Sequence, residues 1–342
     1  MNERDIIGMI AGVAAAGGQG GGGLLKGIGD DCAVVAGDEG RVWLYSVDTL
    51  VEAVHFDCGF HPPEKLGRKA VSVNVSDIAA MGGRPCYLLL SLGLPEGFSQ
   101  SWLEGFTAGF GSACREYGCL LMGGDTVRSR EITITVTVVG EMAARQVLYR
   151  SAARPGDTIW VSGGLGRAAA GLALLKHRSA KSPPMDEELE GLMEAHLDPV
   201  ARVGLGQLLA ASGLVHAMMD ISDGPATDLA HICRQSGVGA LLEAELLPVS
   251  PALSRAAALL GLDLPGLMLS GGEDFELLFT AAASDSRSLQ RLTAGAGYTI
   301  QRIGRIVTGD RVHLVSAASD RRQERLMDIT DQGYDHFRTR QR

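Results

Sequence analysis

The chain has 342 residues, a formal net charge of −9 and 46% hydrophobic residues. That balance argues against a basic stripe for a nucleic-acid backbone and supplies enough apolar material for two domain cores. No apolar run reaches membrane-spanning length. The 6 cysteines are scattered without a Cys-x-x-Cys pair, so they read as reduced core thiols of a cytoplasmic protein.

Near the start, Ile6, Ile7, Ile10 and Val13 fall at helical spacing, while Glu3 and Asp5 deny the segment the basic flank of a signal peptide. An amphipathic first helix is expected. The tract from Gly17 to Gly23 is costly to order and reads as a linker or as a flap over a nucleotide. It is not a phosphate loop of the Gly-x4-Gly-Lys-Ser type, because Lys26 is not followed by Ser or Thr. Residues 41–47 read as a strand that delivers Asp48 to its end, facing a cleft, with His55 shortly after. Residues 64–81 read as a long helix stopped by Gly82-Gly83 before Pro85. Asn74 and Asp77 share one face of it. Among Val71, Val73, Val75 and Ile78, the Asp77 carboxylate is costly to bury unless paired or metal-bound, and a metal role is preferred.

Residues 86–92 form a predicted strand and 100–117 a predicted helix, whose Trp102, Phe106 and Phe110 make a core stripe. A short strand over 119–122 opens into Gly123-Gly124-Asp125-Thr126, where the glycines let the backbone approach a ligand. Residues 131–141 alternate, with Ile132, Ile134, Val136 and Val138 on one face and Thr133, Thr135 and Thr137 on the other, which predicts a half-buried antiparallel strand.

The polar segment 150–157 divides the chain into expected domains 1–150 and 151–342. In the second, a strand over 158–161, a glycine-rich turn and a helix over 167–175 precede a polar loop over 176–187. Then come a helix (200–211), a strand (215–220), a helix (226–235), a strand (238–243), a helix (251–260), a strand (275–280), a helix (284–292) and strands over 298–306 and 311–314. Helices and strands mix with an antiparallel flavour, so two α+β units are expected. The strand over 215–220 ends in Asp220-Ile221-Ser222-Asp223-Gly224. Either Ser222 or Asp223 caps the next helix, or the two aspartates converge on one ion.

Acids beside glycines or at strand ends recur at Asp30-Asp31, Asp48, Asp77, Asp125 and Asp220/Asp223. Hard oxygen ligands in that number suit several Mg²⁺ ions shared with a polyphosphate, with Arg150 adding a fixed positive charge. No Ser-His-Asp order or activated cysteine points to a covalent intermediate. A phosphate monoester acceptor would need no strong base, since its second pKa is about 6.

Taken together, Gly29-Asp30-Asp31-Cys32, Asp48-Thr49-Leu50-Val51-Glu52, Asn74-Val75-Ser76-Asp77, Gly123-Gly124-Asp125-Thr126, Asp220-Ile221-Ser222-Asp223-Gly224 and Gly271-Gly272-Glu273-Asp274-Phe275 resemble, in order and spacing, the motifs of the thiamine-monophosphate kinase family. That family belongs to the superfamily of aminoimidazole-ribonucleotide synthetase and selenophosphate synthetase, and the resemblance spans nearly the whole chain. It implies ATP-dependent, Mg²⁺-assisted phosphoryl transfer to thiamine monophosphate, with the small molecules as the only partners besides a second copy of the chain. It implies metal ligands at Asp30, Ser46, Val47 (through its backbone), Asp48, Asp77, Asp125, Asp220 and Asp223, of which Asp48, Asp125 and Asp223 stand at the catalytic centre. ATP would meet Gly124, Asp125, Arg150 and Ser222, and the thiamine moiety His55, Glu273 and Tyr334. The implied fold has two mixed α/β domains, with N-terminal sheets meeting across a homodimer. Departures from the family pattern are Thr107, where relatives carry a tyrosine near the base, Val127 and Pro225. The alternatives are a sister enzyme of the superfamily, such as an aminoimidazole-ribonucleotide synthetase, or a non-catalytic nucleotide or metal sensor. Selenophosphate synthesis would need a reactive cysteine before residue 31, and there is none.

Overall fold

The structure, a computed structural model, describes residues 3–16, 23–178, 186–317 and 324–334. Most of the glycine tract (17–22) and the tail beyond Tyr334 lie outside the described residues. The first half contains α1 (Glu3–Ala16), β1 (Leu24–Lys26), β2 (Ala33–Ala36), β3 (Arg41–Val51), α2 (Pro63–Ala80), β4 (Arg84–Leu94), α3 (Gln100–Tyr117), β5 (Leu120–Arg128) and β6 (Thr133–Ala143). Its strands form one sheet in the order β1-β2-β3-β6-β4-β5, in which only β4 and β5 run parallel.

The second half contains β7 (Asp157–Val161), α4 (Arg167–His177), α5 (Glu187–Leu197), α6 (Val203–Ser212), β8 (Val215–Asp220), α7 (Pro225–Ser236), β9 (Gly239–Glu243), α8 (Pro251–Leu260), α9 (Leu264–Ser270), β10 (Leu277–Ala282), α10 (Ser286–Gly295), β11 (Gln301–Val307), β12 (Val312–Ala317) and β13 (Glu324–Asp328). These strands form a second sheet in the order β13-β12-β9-β11-β7-β10-β8. The mixed α+β architecture expected from the pattern is therefore present. No single helix among the described residues is long and apolar enough to cross a membrane.

Helix α2 is the centre of the molecule. Pro63 sits in its first turn, where a missing N–H does no harm, and Glu64 complements the helix dipole there. Almost every later residue is buried, because α2 packs on the first sheet, on α3, on α6 and on β8 of the second sheet. A helix enclosed on all sides has no polar face to spare for water. Glycines permit the close packing: a Cβ on Gly67 would lie 2.1 Å from the Phe106 carbonyl oxygen of α3, and one on Gly206 of α6 would lie 2.2 Å from that of Ala79. One hydrophobic core thus joins the first sheet to the second through α2, including Leu88, Ile134, Trp160, Met218 and Phe279. A separate core fills the far side of the second sheet under α4, α5, α7 and α8.

Several elements differ from expectation. α5, capped by Asp186, begins at the end of the expected polar loop and fills the stretch before Asp198. α9 is seven residues long and too short to leave a periodic signature. β1, β2 and β13 are short strands at or near sheet edges. β3 runs past Asp48 to Val51, and β5 absorbs Gly123 to Thr126, so both of those acids sit within strands.

Candidate functional site

The site is built around one stretch of α2. Three consecutive turns supply Lys69, Asn74, Ser76 and Asp77, and each reaches a different segment. The Asn74 Oδ1 accepts the backbone N–H of Asp48 at 3.0 Å, while its own amide donates to the Ala70 carbonyl at 2.9 Å. Ser46 Oγ on β3 donates to Asp77 Oδ2 at 2.5 Å, and Ser76 Oγ donates to Asp220 Oδ2 on β8 at 2.5 Å. Ser46 and Asp48 point to the α2 side of β3 because strand residues alternate, and Val47 between them is exposed on the outer side.

Carboxylate oxygens of Asp31, Asp77 and Asp220 lie within 4.8 Å of one another. Burial, then Asp48, Asp220 and Asp31, push Asp77 well above the usual carboxylate range. Burial and Asp31 push Asp48 up to about 6 and Asp220 up to about 7. Like charges gathered in a dry place resist ionising unless a cation joins them. Asp31 Oδ2 is buried and has no hydrogen-bond partner among the described residues. An oxygen-only donor set with an orphaned lone pair fits a hard divalent ion such as Mg²⁺.

Of the neighbouring pair, Asp31 is the one whose carboxylate lies with Asp77 and Asp220. The Asp30 side chain turns instead to the Arg150 backbone N–H (3.1 Å) and to Lys26 Nζ (3.3 Å), so it fixes the domain junction beside the cluster. Arg150 directs its guanidinium to Asp31, with Nη2 at 2.6 Å and Nε at 3.2 Å from Oδ1. Asn74 and Ser76 orient the acids, and the sequence pattern marks only the helical face that Asn74 shares with Asp77. Their signal was their place, three and one residues before Asp77 on a helix with no other reason to be polar.

The Asp220-Ile221-Ser222-Asp223-Gly224 turn and the Gly271 to Phe275 loop meet because β8 and β10 pair antiparallel, with Asp220 opposite Leu277. The pairing continues into both loops: Ile221 N–H donates to the Glu276 carbonyl (2.8 Å), Phe275 N–H to Ile221 (2.9 Å) and Glu273 N–H to Ser222 (2.7 Å). A Cβ on Gly272 would lie 2.4 Å from the Ser222 carbonyl oxygen, so only glycine allows that contact. Glu273 and Phe275 both adopt positive φ, +66° and +49°. Strain of this kind persists where surrounding contacts over-determine the backbone, and it concentrates at binding sites. Asp228 on α7 accepts the Gly224 N–H at 3.0 Å and steadies the turn that presents Asp223. Tyr334 N–H donates to the Asp223 carbonyl at 3.0 Å, which ties the tail to the same turn. His55 follows β3 and accepts the Val51 N–H on Nδ1 at 3.0 Å.

Asp125 is not brought to this cluster within one chain. Across the first sheet Asp48 lies opposite Val136, Val136 opposite Leu90, and Leu90 opposite Gly124. Three strand spacings of about 4.8 Å put β5 roughly 14 Å from β3. Gly124 is obligatory all the same, since a Cβ there would lie 1.7 Å from the Leu90 carbonyl oxygen. Between β5 and α3 opens a cavity of about 410 Å³ lined by Leu90, Thr107, Phe110, Gly111, Leu120 and Leu121 among others.

Two domains with this acid-lined junction define the class. Residues 29–142 match the AIR synthase related protein N-terminal domain, and residues 154–316 match the AIR synthase related protein C-terminal domain. The thiamine-monophosphate kinase of Salmonella typhimurium is 37% identical over 315 residues, 92% of each chain. That of Bacillus subtilis is 34% identical over 322 residues, 91% of this chain and 93% of the other. The solved structure of AaThiL complexed with AMPPCP and TMP superposes with a TM-score of 0.83 at 33% identity, covering 98% of this chain and 97% of that one. The chain belongs to the thiamine-monophosphate kinase family within the AIR synthase related proteins.

Proposed function

We infer that the protein transfers the γ-phosphoryl group of ATP to the phosphate of thiamine monophosphate, giving thiamine diphosphate and ADP. The observation that carries this reading is the convergence of Asp31, Asp77 and Asp220 from separate segments, their carboxylate oxygens within 4.8 Å of one another, with Asp48 close enough to raise Asp77. Ser46, the Val47 carbonyl and Asp223 would complete the set of ligands, with Asp30 beside it at the domain junction. These residues would hold Mg²⁺, which when bound neutralises charge on the two phosphates and lets them approach.

The protein's own groups do the rest. Arg150, held by Asp31 at the domain junction, offers a planar fork to a phosphate. Ser222 and the strained turn around it present a hydroxyl and Asp223 to the polyphosphate. The acceptor is already an anion near neutral pH, so no general base is required. The base of ATP fits the apolar cavity between α3 and β5, where Thr107 spends its hydroxyl on the Leu103 carbonyl (2.8 Å) and leaves space a tyrosine would fill. His55, Glu273 and Tyr334 surround the thiamine moiety.

The site is completed by a second copy. β5 is exposed along its whole length and carries Leu120, Leu121, Met122 and Val127 at 50% exposure or more. A large exposed apolar edge marks an interface. Pairing of two first sheets along it would bring Gly124 and Asp125 of one copy toward the cluster of the other, which a single chain cannot do. The free cysteines suit a reducing, cytoplasmic setting. The test is incubation with ATP, Mg²⁺ and thiamine monophosphate: ADP and thiamine diphosphate should appear in equal amounts. ADP formation without thiamine diphosphate, or turnover of formylglycinamidine ribonucleotide or selenide instead, would refute the assignment.

A further inference from the structure

Lys69 is a positive charge in the middle of the most enclosed helix of the protein. It is completely buried, and so is its neighbourhood on α2 from Leu66 to Ser76, where Arg68 alone is partly exposed. Burying an ammonium costs several kcal/mol unless partners replace its water. Its partners come from two other places. Nζ lies 3.0 Å from Glu273 Oε1, on the strained loop of the second domain, and 3.4 Å from the backbone carbonyl of His55, after β3 of the first. On the opposite oxygen of the same carboxylate, His196 of α5 places Nδ1 at 2.9 Å from Oε2, and His196 is itself 1% exposed. His61, also buried, stands behind it with ring centroids 6.0 Å apart and its Nε2 2.9 Å from the Leu197 carbonyl. Burial and Lys69 push His196 down, while its Nδ1 stands against the Glu273 carboxylate. Burial alone would raise Glu273, yet Lys69 and His196 hold it well below the usual carboxylate range.

We propose that Lys69 is a positioning residue for the acceptor site: it clamps the Glu273 carboxylate and the His55 backbone together across the domain junction, with His196 as the second jaw. The inference rests on the placement of His55 and Glu273 against the thiamine moiety. The geometry explains why a lysine stands here. Glu273 has positive φ, so its side chain leaves the loop in a direction that the backbone by itself does not favour. One cation reaching both its carboxylate and the His55 carbonyl sets the spacing of two groups that belong to different domains. A carboxylate kept ionised and aimed in this way suits a ligand with a cationic ring and a donor amine, which thiamine monophosphate has. A merely cohesive ion pair between the domains would serve as well with any well-packed apolar substitute, and would leave substrate preference untouched.

The experiment compares Lys69→Met, Lys69→Arg, Glu273→Gln and the Lys69→Met/Glu273→Gln double variant in the full-length protein, reading KM for thiamine monophosphate, KM for ATP, kcat and the thermal midpoint. Lys69→Met should raise the acceptor KM at least tenfold and leave the ATP KM within twofold. Lys69→Arg, which keeps the charge but replaces a point donor by a planar fork, should recover part of the loss. The double variant should bind acceptor no worse than Glu273→Gln alone. Should Lys69→Met fail to fold, Lys69→Arg carries the same test, with a raised acceptor KM and an unchanged ATP KM. An acceptor KM unchanged in the Lys69 variants but raised in Glu273→Gln overturns the clamp and leaves the proposed function standing. Unchanged values in all of them overturn the placement of Glu273 at the acceptor, and the clamp with it. Equal rises in both KM values also overturn it, since they report damage to the domain junction.

Discussion

Replacing Asp220 by asparagine should stabilise the metal-free protein at neutral pH while destroying its response to metal. Asp220 is 2% exposed, lies in the cluster with Asp31 and Asp77, and is pushed up from 3.8 to about 7 by burial and Asp31. Because the folded value is the raised one, this group's contribution to stability is fully present below about pH 4. It is lost progressively as pH rises through about 7. Moving from 3.8 to about 7 is worth at most about 4 kcal/mol, because Asp48 and Asp77 relax when one neighbour loses its charge. Asparagine keeps an oxygen for the Ser76 hydroxyl and does not titrate. Thermal unfolding in EDTA should therefore show the wild-type midpoint falling between pH 5 and 8, and the Asp220→Asn midpoint falling several degrees less. Adding millimolar Mg²⁺ at pH 8 should raise the wild type above the variant, because only an intact ligand set gains from mass action. Parallel pH profiles in EDTA, or equal midpoint gains with Mg²⁺, would refute the view of these acids as a repulsive cluster waiting for a cation.

Asp48→Asn and Asp223→Asn should each lower turnover by at least a hundredfold with the folded midpoint in EDTA no lower than wild type; coupled ADP release and calorimetry check the two halves of that statement. His55→Ala and Tyr334→Ala should raise the acceptor KM more than the ATP KM, in steady-state assays with each substrate varied; Tyr334→Ala keeps the backbone bond to Asp223, so its effect reports the ring. Met122→Lys on the exposed β5 edge, outside the lining of the α3–β5 cavity, should convert a dimer to a monomer by light scattering and lower activity at least tenfold at low protein concentration, because Asp125 of one copy then no longer meets the cluster of the other. A fully active monomer would refute the shared site.

Much of the candidate site is legible in the sequence. Asp48, Asp77, Asp220 and Asp223 announce themselves because a carboxylate inside or at the end of an apolar run needs a reason to be there. The half-buried strand β6 was legible from strict alternation, and α2 and α3 from helical period and their glycine stops. The loop from Gly271 to Phe275 showed its glycines but not its partner.

What the linear order of residues settled by itself is the chemistry available: hard acidic ligands, glycines that admit close approach, and strands and helices in alternation. Which of Asp30 and Asp31 faces the cluster was decided in three dimensions, because neighbouring side chains leave the chain in opposite directions and Arg150 arrives from 119 residues away to choose one of them. The same holds for Lys69, which in the string is a basic residue in a helix and in the fold is the cation between two domains. Long-range packing also put β5 three strands from β3, a separation set by sheet order and invisible to motif spacing.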